Sequence, residues 1–420
     1  MAAGRSSTSN AARWAAVAAV GSRVLLVVVA FVTAATVGVR ARAQFLRDPR
    51  AEALSGFAER LFEPWAHWDG VWFIRIAADG YAAHDYSQAF FPLYPLLLRL
   101  VAPLTGGDYV VAGVLVSLAC YGGAMALLYR LVRSDLGPRV ALWSVVLISV
   151  FPTALVFQAV YSESLFLLLV LASFTAARQG RWWAAGLAGL LAVLTRSAGL
   201  ALLVPLALMW WEQRRGAAVR LPGGPAAGKP AARRPSPVTL LALLLVPAGL
   251  GLYMAYLWSA FGDPLLFGVV QGNWGRTMAA PWAAIAVGAE EAARGIAWLV
   301  TNGPQAVLGM RNESGGIPIQ QLANVLEFAG LLVAVALAAV CWRRLPAAYT
   351  VYAVAALVFP LFYPSDGRPL SSLPRFVLVD FPFFVALAVV LVPHRVTRWA
   401  VSGLFLVLLI VATVYFASWA

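Results

Sequence analysis

The sequence predicts an all-α polytopic integral membrane protein, and three observations carry that reading. Of its 420 residues, 62% are hydrophobic and 12% are charged, about half the charged share of a soluble domain. Apolar runs of about 20 residues recur along the whole chain, the length at which a helix crosses a bilayer. These runs are continuous Leu, Val and Ala, whereas a membrane β-barrel would show short alternating segments.

The net charge of +13 comes from 31 basic residues against 18 acidic ones, with Lys229 the single lysine. They are scattered through short loops between apolar runs, a positive-inside pattern and not a nucleic-acid surface, so no nucleic-acid partner is expected. Cys120 and Cys341 lie within apolar runs without metal-site spacing and read as small buried hydrophobes.

Loop charge sets an expected topology of about 11 transmembrane helices in one domain, residues 24–420, after a cytoplasmic segment 1–23 held inside by Arg5, Arg13 and Arg23. The first apolar stretch continues past Arg23 without a clear cleavage site and reads as a retained helix, about 24–40. A first outer loop covers 41–108. Helices near 109–130, 140–158 and 162–177 follow. The stretch 182–211 has Arg196 at its centre. Two short crossings with Arg196 at the outer turn keep the next loop, the basic and Gly/Pro-rich segment 212–237, on the cytoplasmic side. A helix near 238–260 leads to a second outer loop, 261–318, with an amphipathic or re-entrant piece near 282–300. Four more helices complete the chain, near 319–341, 346–363, 376–393 and 398–418.

This topology collects the unusual polar residues on one side. The first outer loop carries Ala66-His67-Trp68-Asp69-Gly70-Val71-Trp72-Phe73-Ile74-Arg75. A carboxylate held beside a membrane is costly unless a partner or a reaction uses it, so Asp69 is the candidate general base. An aromatic belt with a solvated acid is the competing reading. His67, Trp68 and Arg75 are candidate substrate-binding neighbours. The pairs His67/Asp69 and His84/Asp85 lack a third spaced ligand, so no metal site is expected.

Glu163, in Tyr161-Ser162-Glu163-Ser164, begins a helix and reads first as a cap favoured by the helix dipole, and second as a substrate contact. Arg196, flanked by apolar residues on both sides, needs an anion or a partner, and phosphate suits a guanidinium. Asp366, Arg368 and Arg375, in a Pro/Gly-rich stretch, complete the candidate substrate-binding set. There is no P-loop, Rossmann fingerprint or nucleophile elbow, so no nucleotide cofactor is expected and an activated substrate would be lipid-linked.

With these residues in view, the chain resembles the glycosylphosphatidylinositol mannosyltransferase 2 (PIG-V-like) family of GT-C membrane glycosyltransferases. The matching pieces are Trp68-Asp69-Gly70, Gly80-Tyr81, Ala89-Phe90-Phe91-Pro92-Leu93-Tyr94-Pro95, Tyr161-Ser162-Glu163-Ser164-Leu165-Phe166, Thr195-Arg196-Ser197-Ala198-Gly199, Arg375-Phe376 and Phe381-Pro382, in family order over about 60–390. The resemblance implies a GT-C-like fold and inverting transfer of mannose from a polyprenyl-phosphate donor on the extracytoplasmic face of the cell membrane, with Asp69 as base. The acceptor would be a lipid, a glycan or a protein. Eukaryotic relatives often carry Asn where Ala198 stands. The composition resembles that of a GC-rich bacterial genome, which implies an acceptor other than glycosylphosphatidylinositol. The alternative class is a polytopic transporter or lipid flippase, which would place ionisable groups near the bilayer midplane on broken helices.

Overall fold

The computed structural model describes residues 2–37, 54, 56–83, 85–216, 234–308 and 317–418. Most of the expected basic loop 212–237 lies outside them, as does His84. The described chain is helical. Its β pairing is limited to two isolated bridges, Arg276 with Ser365 and Ser365 with Arg368.

The first helix, α1 (Ala2–Val37), begins well before the expected residue 24, because residues 10–23 continue the same apolar helix. Arg23 is therefore no cytoplasmic anchor. It is buried at mid-helix, donating from Nη1 to Ala154 O at 2.6 Å and from Nη2 to Ser149 O at 2.9 Å. Ser149 is the last residue of a helix, so Arg23 supplies a donor to a carbonyl that has no partner within its own helix.

The described part of the first loop is itself largely helical, with α2 (Gly56–Phe62), α3 (Asp69–Asp79) and α4 (Leu93–Val101). The long α5 (Tyr109–Leu136) starts where Asp108 caps the amides of Val110 and Val111. Next come α6 (Pro138–Ser149) and α7 (Glu163–Arg178), then α8 (Trp182–Thr195) and α9 (Leu203–Arg214), which meet at Arg196 through a short 3₁₀ segment. In the second half, α10 (Leu245–Phe261) is entered through a 3₁₀ segment, and α11 (Leu266–Val269) is a single turn. The expected amphipathic piece is a full helix, α12 (Pro281–Leu308). The chain ends with α13 (Ile317–Arg344), α14 (Ala347–Val358), α15 (Leu373–Leu378), α16 (Phe381–Leu391) and α17 (Arg395–Ser418).

Among the described residues, five helical stretches are long and apolar enough to cross a membrane: Asn10–Val37, Tyr109–Leu136, Pro237–Phe261, Gln320–Arg344 and Arg395–Ser418. The shorter apolar helices include α6 and α16, most of whose residues are buried, and α8, which leaves Trp183 and Leu187 exposed. The core is built by α5 against α6 and α7, α7 against α8, and α8 against α10. The last contact is close because Gly249 lacks a side chain: a Cβ there would lie 2.5 Å from Leu190 O.

At the arginine-rich end, Asp135 of α5 accepts from Arg178 of α7 at 2.5 Å and from the Tyr349 hydroxyl of α14 at 2.7 Å. This buried knot ties three helices together on the side away from Asp69.

Candidate active site

Two acids begin helices and meet over one arginine. Asp69 is the first residue of α3 and Glu163 the first of α7, positions where the helix dipole favours a carboxylate. Trp68, just before α3, has φ 55°, a left-handed conformation that a non-glycine residue adopts at a cost of about 1–3 kcal/mol. It is this sharp turn that starts α3 at Asp69.

Arg375, on α15, donates from Nη1 to Asp69 Oδ2 at 2.6 Å, and its Nε lies 3.0 Å from Glu163 Oε1. Arg196 donates from Nη1 to the same Glu163 oxygen at 2.5 Å. The Tyr161 hydroxyl accepts from the Asp69 amide at 3.3 Å, and its ring lies 5.3 Å from the Arg375 guanidinium carbon. Burial works against the charge of Arg375, but Asp69, Glu163 and Tyr161 outweigh it and hold the guanidinium above its ordinary value.

The two acids differ in access. The Glu163 side chain is 1% exposed and serves both arginines, while that of Asp69 is 33% exposed. Among the described residues only Oδ2 of Asp69 is engaged by a side chain. Glu163 is thus an internal counter-ion, and Asp69 is the acid that a substrate can reach.

Asp69 opens into a cavity of about 360 Å³ with two chemically distinct parts. Its polar part is formed by Asp69, Ser162, Arg196, Ser197, Arg276 and Arg375. The rest of its lining is mainly apolar, with Leu200, Leu250, Phe267, Ala356, Phe359 and Val379. Phe90 and Trp274 form an aromatic wall, their rings 6.0 Å apart edge to face. The volume lies within the usual range for a small-molecule site, roughly 300–1,000 Å³.

Arg196 reaches this cavity because α8 stops there. Its backbone is extended (φ −158°, ψ 136°), and the chain folds straight back onto α8. That fold requires Gly199, whose Cβ would sit 2.6 Å from Val193 N.

The structure brings Asp69, Glu163, Arg196 and Arg375 together, and sends the other expected residues elsewhere. Arg75 lies six residues beyond Asp69, about 240° around the helix. It stacks over Trp72 and pairs loosely with Asp85 at 3.5 Å. His67 and Trp68 precede α3: the His67 ring packs edge-on to Phe416 at 5.7 Å, and Trp68 is exposed. None of these three lines the cavity. Arg368 pairs with Glu327 of α13, and the Asp366 amide donates to Gly275 O at 2.9 Å. Both belong to a turn that braces a neighbouring loop, not to the cavity wall.

That neighbouring loop holds Arg276, which the sequence reading passed over. It lines the polar part, in Asn273-Trp274-Gly275-Arg276 of the second expected outer loop. The available signal was a charge and a tryptophan around a glycine, as at Trp68-Asp69-Gly70. Burial lowers the proton affinity of Arg276; Arg375 and Arg196 lower it further, while Asp69 and Glu327 pull the other way.

Residues 16–211 match the family model described as mannosyltransferase (PIG-V). GPI alpha-1,6-mannosyltransferase 2 of Mus musculus is 35% identical over 182 residues, which is 40% of this chain and 36% of the relative. The Homo sapiens protein of the same description is 32% identical over 167 residues, 36% of this chain and 34% of the relative. The chain thus spans about a third of the length of the curated relatives it matches. Among solved structures, an Archaeoglobus fulgidus oligosaccharyltransferase aligns over 94% of this chain and 54% of its own, at 13% identity and a TM-score of 0.38. Across residues 16–211, the chain is thus similar to the PIG-V mannosyltransferases.

Proposed function

We propose that this protein is a membrane mannosyltransferase that moves mannose from a polyprenyl-phosphate donor to an acceptor hydroxyl, with inversion, at the extracytoplasmic face of the cell membrane. The observation that carries the reading is the mixed lining of the cavity, which combines a reachable carboxylate and arginines with apolar side chains. An isoprenoid phosphate has that same combination. The likeness of residues 16–211 to PIG-V mannosyltransferases supports the choice of sugar. The transporter reading has no support from the comparisons.

In the proposed step, Asp69 takes the proton of the acceptor hydroxyl as its oxygen attacks the anomeric carbon. The bond from that carbon to the phosphate oxygen breaks, and the polyprenyl phosphate leaves with the electron pair. Arg375 holds one oxygen of Asp69 and so aims the other at the acceptor. Trp274 and Phe90 offer the sugar an apolar face. The acceptor is a lipid, a glycan or a protein.

The test is transfer from labelled polyprenyl-phosphate mannose in isolated membranes. Wild-type protein should move the label, and Asp69→Asn at equal abundance should lose about 10²–10⁴-fold of the rate. Undiminished transfer by Asp69→Asn would remove Asp69 as the base. Profiling the lipids and glycans of a deletion strain would identify the acceptor.

A further inference from the structure

The polar part of the cavity is not neutral. It gathers two acids, Asp69 and Glu163, and three cations, Arg196, Arg276 and Arg375. Arg375 pairs with Asp69, and both Arg375 and Arg196 pair with Glu163. Among the described residues, no carboxylate lies within pairing distance of Arg276; the acid next nearest in influence, Glu327, is held by Arg368. An uncompensated cation beside a greasy wall is costly unless an anion arrives.

The loop that presents Arg276 is braced from three sides. Arg276 bridges to Ser365, the Asp366 amide donates to Gly275 O, and the Ser365 hydroxyl donates to Trp274 O at 3.1 Å. Behind it, Gln320 and Asn324 of α13 donate to Gly367 O, and Arg368 anchors the turn to Glu327. Thus Asp366 and Arg368, rather than meeting the substrate, hold the segment that does.

We infer that Arg276 is the phosphate ligand of this cavity and takes up the charge that forms on the leaving group. The inference rests on the polyprenyl-phosphate reading above. Departure converts a phosphodiester with one negative charge into a phosphate monoester that gains a second, and the cavity holds one cation more than its acids. A preformed guanidinium at that point stabilises the transition state more than the ground state. Arg196 keeps Glu163 throughout, and Arg375 keeps Glu163 when Asp69 takes the acceptor proton.

The experiment measures binding of polyprenyl monophosphate to the full-length protein in phosphatidylcholine nanodiscs, with thermal unfolding as a control for folding. Arg276→Gln should weaken binding at least about tenfold and lower kcat on the mannosyl donor by about 100-fold. Arg276→Lys should recover a good part of both, and Arg294→Gln, which alters an exposed pair on α12, should change neither. Inorganic phosphate should compete only at concentrations about 100-fold or more above the lipid, because it lacks the apolar part. Wild-type-like binding by a folded Arg276→Gln overturns the assignment and leaves the donor reading standing. Failure of the wild-type protein to bind polyprenyl monophosphate overturns both. Competition by inorganic phosphate at equal concentration overturns the lipid part and points to a free-phosphate site.

Discussion

Arg375 and Asp69 are 306 residues apart in the chain and 2.6 Å apart in space, joining α15 to the first turn of α3. The pair closes the fold around the cavity, since its two halves come from opposite ends of the sequence. It also makes the two residues one unit. Their effects on transfer should therefore be far from additive: Asp69→Asn with Arg375→Gln should lose about as much rate as the worse single variant. Initial rates in a double-mutant cycle check this, and a product of the two single losses would show that they act independently.

Glu163 is the most consequential acid for folding. Its replacement by Gln leaves Arg196 and Arg375 without their shared counter-ion, and breaking such a buried pair costs about 3–5 kcal/mol. Thermal unfolding in detergent should show Glu163→Gln as the least stable variant of the cavity set. An unchanged melting temperature would mean that solvent already satisfies the two arginines.

Gly199→Ala tests the turn behind Arg196. The added methyl meets Val193 N at 2.6 Å, where backbone and not a pliant side chain must move. A stability loss of about 1–3 kcal/mol should appear together with a fall in transfer, because the same shift displaces Arg196. Stability and activity measured on one preparation would separate this from a purely local clash.

Arg75→Gln should change almost nothing. Its side chain is 40% exposed and its pair with Asp85 spans 3.5 Å, so the expected stability effect is under about 1 kcal/mol. Donor KM and kcat should match the wild type. A large loss of transfer would return Arg75 to the site.

Arg23→Met should leave the carbonyls of Ser149 and Ala154 without their donor inside the protein. Each such orphan costs about 1–3 kcal/mol, and the segment after Ala154 carries Tyr161 to Glu163 into the cavity. Lower yield of folded protein and lower melting temperature are expected, with partial recovery in Arg23→Lys.

Much of the helical framework was legible because hydropathy reports burial directly. The run from Tyr109, the break at Arg196 and the acids at Asp69 and Glu163 could all be placed from local pattern. What local pattern does not encode is direction and pairing. Arg368 and Arg375 belong to the same short stretch, yet a turn at Gly367 and the start of α15 send one to Glu327 and the other to Asp69. Arg276 went unnoticed for the same reason: its place depends on contact between segments about 90 residues apart. Arg23 was misplaced because a basic residue near an apolar run suggests a loop charge, and only tertiary contact reveals a helix end for it to serve.

The shortness of α6 has a consequence for how Glu163 is held. Its 12 residues rise about 18 Å, against roughly 30 Å of hydrocarbon. A helix of that length cannot span on its own, and the chain reaches Glu163 only through residues 150–162, a connection whose regular structure is one short 3₁₀ segment. Where Glu163 stands therefore depends on how that connection packs, and not on the axis of a continuous helix, which makes residues outside the cavity, Arg23 among them, guardians of its counter-ion.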